Sequence, residues 1–194
     1  QYARDCSRLL VHLDAMTKPV VAALNGNALG GGFELAIRCR AIVAMRDAWM
    51  QLPEITLGIL PGIGAMVVPY RRWPGAATVF HGMLRQAEKL TAVHAHELGI
   101  VAALVDEPHE LVTVAIRQVR SLAGLPGNLA RGPVALPELE PVAPTAANGM
   151  ALSATAIALM EDAIRGAAAA STLASALEVG YRAFGASACT AAAR

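Results

Sequence analysis

Apolar residues along this chain change their period several times, and each change predicts an element. Leu9, Leu10, Leu13 and Met16 fall at helical spacing, so residues 3–16 read as the end of an amphipathic helix that Lys18-Pro19 breaks. Val20-Val21-Ala22-Ala23-Leu24 has no polar alternation, the signature of a strand buried on both faces. Asn25-Gly26 ends that strand, Gly30-Gly31-Gly32 makes a tight turn, and residues 33–38 return to a helical period. Residues 41–44 read as a second short buried strand. Residues 47–51 lead into an extended stretch, Leu52-Pro53-Glu54, ahead of a proline-and-glycine loop over 58–64. A further helix is expected to begin within 64–68, and residues 76–83 are apolar and helical. Thr91 is placed to cap a helix over 92–98, with Gly99 just past its end. Residues 100–105 are strand-like, and 110–122 form a good amphipathic helix.

Beyond residue 124 the chain changes character. Pro126, Pro133, Pro137, Pro141 and Pro144 mark a connecting segment, and from Ala151 onward the sequence is alanine-rich and helical. Strands alternating with helices before the connector, and helices alone after it, predict an α/β core over 1–124. A proline-rich connector over 125–144 and a helical C-terminal region over 145–194 complete the expected organisation. Gln1 enters in the middle of a helical pattern and Arg194 ends one without a cap. The chain therefore reads as a piece lacking its flanks, above all the N-terminal part of its core.

Composition narrows the classes. Hydrophobic residues make up 55% and charged residues 16% of the 194, which excludes a disordered chain. A net charge of +1, scattered cations and 4% aromatics argue against nucleic acid as a partner. Three widely spaced cysteines form no disulfide framework and no zinc pattern, and read as free thiols in a reducing cytoplasm. The longest apolar stretch, 20–37, holds Asn25, Asn27, several glycines and Glu34, so no membrane span is expected. His94 and His96 face different directions on their helix, and no metal site is expected. His12, His81 and His109 are isolated, Trp49 and Trp73 read as packing residues, and Arg71-Arg72 as a solvated pair.

Two segments carry candidate chemistry. In Asn25-Gly26-Asn27-Ala28-Leu29-Gly30-Gly31-Gly32-Phe33-Glu34, a strand runs through three glycines into a helix. Glycine lets a ligand approach the main chain, and the free N–H groups of a helix start favour negative charge such as an oxyanion. The spacing matches neither the dinucleotide fingerprint nor the P-loop. In the second segment, Glu54 stands among Leu52, Ile55, Leu57 and Ile59. A carboxylate there is either exposed at a loop edge or desolvated with a raised pKa.

Taken together, these segments resemble the enoyl-CoA hydratase/isomerase (crotonase) family. The likeness is carried by Lys18-Pro-Val-Val-Ala-Ala-Leu-Asn-Gly26, by Ala28-Leu-Gly-Gly-Gly-Phe-Glu-Leu-Ala36 and by Gln51-Leu-Pro-Glu-Ile-Thr-Leu-Gly-Ile-Leu-Pro-Gly62. Thr91-Ala92, Ala95 and Leu98-Gly-Ile-Val101 continue it. The resemblance implies a spiral of strand-strand-helix turns with C-terminal helices used in assembly, as a trimer or a dimer of trimers. It implies an acyl-CoA substrate, with coenzyme A part of that substrate and no separate cofactor. Gly31 is then expected to give a backbone N–H to the thioester oxygen, with Gly30 in the same turn and Gly62 beside the acyl site. Glu34 and Glu54 fill the positions of the two catalytic glutamates, Glu34 to activate water and Glu54 to protonate the α-carbon, or with those roles shared. Hydration of a 2-enoyl-CoA is the first expectation. Isomerisation, or hydrolysis, cleavage or decarboxylation of a related acyl-CoA, is the second, and a non-catalytic binding or assembly module the third. Lys18, Lys89, Arg117 and Arg120 are available to a CoA phosphate. The chain departs from the family pattern at Arg40, where an acid is usual, and at Ala65-Met66-Val67-Val68, which is more apolar than usual. Phe33, bulky beside the turn, is expected to narrow the site.

Overall fold

The computed structural model describes residues 5, 10–13 and 15–193. Half of the helix expected over 3–16 lies outside the described residues. The chain then winds through β1 (Val21–Leu24), β2 (Ala28–Leu29), α1 (Gly31–Arg38), β3 (Ala41–Met45) and β4 (Trp49–Gln51). It continues through α2 (Val68–Arg72), α3 (Ala77–Gln86), β5 (Leu90–Thr91), α4 (Ala92–Glu97), β6 (Ala103–Val105) and α5 (Leu111–Leu122). Two helices close it, α6 (Ala154–Ala169) and α7 (Leu173–Ala188).

One sheet is wholly parallel, in the order β1-β3-β6, with Val21 beside Ala41 and Val43 beside Ala103. The other runs β2-β4-β5, parallel at Ala28–Met50 and antiparallel at Trp49–Thr91. The first two passes of the chain each contribute one strand to either sheet before a helix returns it, and in the third α4 stands between β5 and β6.

β3 is buried at all five positions, as its unbroken apolar run predicts. β1 is not: Ala23 is exposed and its neighbours are half-buried. It stands at the sheet edge with β3 as its one neighbour among the described residues, so an apolar run alone overstated its cover. Residues 52–54 also differ from expectation. They enter a 3-10 turn, Pro53–Leu57, rather than an extended stretch. Proline suits the first position of such a turn, because its φ is preset and its missing N–H would have had no partner. Gly58 closes the turn at φ 70, donating its N–H to the Glu54 and Ile55 carbonyls. The helix expected to begin within 64–68 starts only at its last residue, Val68.

The core is one large cluster, with a smaller one of Val67, Ala167, Leu173, Ala176 and Leu177 beside it. Phe33 and Ile37 of α1, Ile42 and Val43 of β3, Met50 of β4, Phe80 and Met83 of α3, and Met160 and Ile164 of α6 all belong to the large cluster. Burying each such side chain contributes about 1.5–3 kcal/mol. Much of the apolar C-terminal region is therefore covered by its own chain. α6 and α7 pack against each other, with Gly166 leaving room for Val179, and a Thr172–Ser175 capping box starts α7.

Residues 125–144 contain no helix or strand, yet they are tied down. Arg71 and Arg72, expected as a solvated pair, are buried. Arg71 donates to the carbonyls of Ala130, Gly132, Ala167 (2.8 Å) and Ala170 (3.2 Å), binding the connector to the end of α6. Arg85 does the same through Glu140 O (2.7 Å) and the Glu161 carboxylate (2.8 Å). A buried guanidinium is tolerated because several carbonyls converge on its donor fork. His81 is likewise not isolated: its Nδ1 shares a hydrogen bond of 2.8 Å with the Tyr70 hydroxyl in the core.

Candidate active site

α1 begins at the glycine turn, so its first N–H groups lack intrahelical acceptors. Gly30 precedes it at φ 50, ψ −128, a conformation that L side chains rarely adopt. Its N–H donates to Gln51 O, which ties the turn to β4, and its carbonyl accepts from Glu34 N; both bonds are 2.9 Å. Gly31 and Gly32 are exposed, and the Ile63 side chain borders Gly31.

Glu34 points inward from the first turn of α1 and is 2% exposed. Its Oε1 accepts hydrogen bonds from Ile63 N and Ala65 N, both at 2.9 Å. Burial raises its pKa above 4.5, while the N–H groups of Ala65, Ile63, Gly62 and Gly64 pull it back by stabilising the anion. Gly62 therefore belongs to the loop that wraps the Glu34 carboxylate.

Glu54 approaches from the 3-10 turn. Its Oε1 lies where a side chain on Gly30 would be, 2.8 Å from a Cβ placed there, and its Oε2 is buried without a hydrogen-bond partner. Burial first, and the charge of Glu34 second, push its pKa up to about 7. The structure thus brings Glu34, Glu54 and Gly30 together, with Gly31 beside them and Gly62 behind Glu34. Of the two environments that the sequence left open for Glu54, this is the desolvated one.

Two further residues shape the site. Arg38, one turn beyond Glu34 on α1 and 1% exposed, donates from Nη1 to Ile63 O at 3.0 Å. Ile63 is therefore gripped at its N–H by Glu34 and at its carbonyl by Arg38. The four-residue spacing of Glu34 and Arg38 was the available signal, because it puts both on one helical face. Arg40 donates to Leu125 O at 2.8 Å, so its charge serves the connector. The apolar run Ala65-Met66-Val67-Val68 is buried, with Met66 and Val67 packed beside Gly180 of α7.

The cations available to a phosphate are dispersed. Lys89 lies over the Trp49 ring, 4.1 Å from its centre, and Arg117 and Arg120 are exposed on α5. Lys18 joins Arg38, Arg40, Arg72 and Arg131 around a cavity of about 340 Å³. That cavity lies at the far end of α1 from the glycine turn and is not lined by Glu34 or Glu54. Beside the carboxyl pair, Gly31 and Gly32 are the exposed positions of the turn.

Comparison with known proteins bears on the family and the fold. A family profile described as Enoyl-CoA hydratase/isomerase matches residues 1–131. A probable enoyl-CoA hydratase of Bacillus subtilis (strain 168) is 35% identical over 109 residues, which are 56% of this chain and 41% of that protein. A crotonyl-CoA hydratase of Syntrophomonas wolfei is 40% identical over 113 residues, 58% of this chain and 40% of the relative. The chain thus spans about two fifths of these curated relatives. The crystal structure of an enoyl-CoA hydratase from Mycobacterium avium subsp. paratuberculosis K-10 superposes with a TM-score of 0.64. It covers 96% of this chain and 65% of its own at 20% identity, a likeness of fold. The chain belongs to the enoyl-CoA hydratase/isomerase (crotonase) family, with its parallel sheets and C-terminal helices.

Proposed function

We propose that the protein containing this chain hydrates a 2-enoyl-CoA. The observation that carries the reading is the pair of carboxyls at the glycine turn, Glu34 buried and wrapped in N–H donors and Glu54 half-buried with one buried, unpartnered oxygen. Burial raises the pKa of both carboxyls; at Glu34 the converging N–H donors offset part of that in favour of its anion, and at Glu54 the neighbouring Glu34 charge adds to burial in favour of the protonated form. An anionic base and a neutral acid are what addition of water across a conjugated double bond needs.

In this reading Glu34 takes a proton from water as the water oxygen bonds to the β-carbon. The π electrons move onto the thioester oxygen, where the Gly31 N–H stabilises the enolate. Glu54 then delivers its proton to the α-carbon and the thioester carbonyl re-forms. A proton passing from Glu34 to Glu54 restores the starting state. Assembly as a trimer or a dimer of trimers is proposed from the family resemblance, and sedimentation velocity of the full-length protein reads it.

The test follows loss of the conjugated thioester absorbance with crotonyl-CoA and full-length protein. Wild type is compared with Glu34→Gln and Glu54→Gln. Loss in wild type that falls at least about 100-fold in both variants supports the reading. Glu34→Gln with near wild-type rates would remove its assignment as the base. A folded wild type that binds CoA and leaves the substrate unchanged would move the assignment to isomerisation or cleavage of another acyl-CoA.

A further inference from the structure

The turn that carries Glu54 is held from behind by the last helix of the chain. Ser187, in the final turn of α7, has no exposed surface. Its Oγ accepts a hydrogen bond from Leu60 N at 3.2 Å and donates to Phe184 O at 2.8 Å. Leu60 is fully buried, so its N–H has no water to turn to. The bond falls directly after the two that close the Glu54 turn, Gly58 N to Ile55 O (3.1 Å) and Ile59 N to Glu54 O (3.3 Å).

Two other contacts join the same elements. The short 3-10 turn Ala191–Ala193 lies against Gly58 so closely that a methyl group there would overlap the Ala192 carbonyl. Gly180, two turns before Ser187, lets α7 approach Val67 and Met66, whose side chains would stand 3.6 and 3.8 Å from a Cβ at that position. Between these contacts lie the Ile63 and Ala65 N–H groups that hold Glu34. One helix and its tail therefore back the whole span from the Glu54 turn to the Glu34 loop.

We propose that Ser187 is a positioning residue, fixing the Glu54 turn through Leu60 against the loop that holds Glu34 and so setting the approach of the two carboxyls. The inference rests on the reading of those carboxyls as the base and acid. A serine that only stabilised its helix would behave differently, and α7 supplies that comparison. Ser175 closes the capping box with Thr172 at the other end of the helix, and its side-chain hydrogen bonds go to Thr172 rather than to the loop.

The experiment is a ¹³C NMR titration of the glutamate carboxyls in the full-length protein, with the Glu54 signal assigned as the one lost in Glu54→Gln. In wild type that signal should titrate near neutrality. In Ser187→Ala it should titrate about half a unit lower or more, as water reaches a loosened turn. The kcat on crotonyl-CoA should fall about fivefold or more with KM unchanged. Ser187→Cys, similar in size and a weak acceptor, should lie between the two. Ser175→Ala should lower the melting temperature and leave both readouts unmoved. An unmoved Glu54 signal in Ser187→Ala, or an equal movement in Ser175→Ala, overturns the proposal. If Ser187→Ala does not fold, Ser187→Cys carries the same two outcomes. The titration needs no turnover, so absence of hydration by wild type would count against the hydratase reading alone.

Discussion

Replacing Glu54 by glutamine should make the protein more stable at alkaline pH while removing its activity. Burial and the Glu34 charge raise the Glu54 pKa from 4.5 to about 7 in the folded chain, whereas the unfolded chain keeps the ordinary value. The folded state therefore holds a proton that the unfolded state has already released. The stabilisation tied to that proton is fully present below pH 4.5 and is lost as pH rises through 7. The rise corresponds to about 3 kcal/mol, at about 1.4 kcal/mol per pH unit. Glutamine is neutral throughout, so Glu54→Gln should match wild type near pH 4.5 and exceed it by about 3 kcal/mol above pH 8. Urea unfolding of the full-length protein, followed by tryptophan fluorescence at a series of pH values, reads the difference directly. A difference that stays constant across that range would refute the argument, because it would mean that Glu54 titrates alike in both states. The expected combination, stability gained and activity lost, is the mark of a group held in an unfavourable environment for its chemistry.

Three other outcomes follow from the geometry. Glu34→Ala leaves the Ile63 and Ala65 N–H groups without their acceptor and should cost about 2–5 kcal/mol by calorimetry, whereas Glu34→Gln keeps an acceptor and should cost less. Gly30→Ala meets both a strained φ and the Glu54 carboxyl, and should lower hydration at least about 100-fold while costing about 1–3 kcal/mol in urea unfolding. Arg71→Met frees the carbonyls of Ala130, Gly132, Ala167 and Ala170 and should cost about 3 kcal/mol, with limited proteolysis cutting first within residues 125–144.

The sequence determined by itself what depends on near neighbours. The apolar run at 41–44 became a fully buried strand, because a central strand of a parallel sheet is covered on both faces. Thr91 caps α4 with its side-chain oxygen on His94 N, since both partners lie within one turn. The glycine turn and the two acids were legible as a group because their segments resemble one family in order and spacing. Tertiary structure decided the rest. Arg71 reads as a solvated cation until carbonyls from residues 59 to 99 positions away converge on it. Glu54 could be a surface or a buried acid until the Gly30 turn and Glu34 close over it. Ser187 is one small residue in an alanine-rich helix until Leu60, 127 residues earlier, presents an N–H with no other partner. Hydrophobic period reports which face of an element is apolar. It carries no information about which distant donor or carbonyl will meet a given side chain, and it is that meeting which sets the burial and charge of a site.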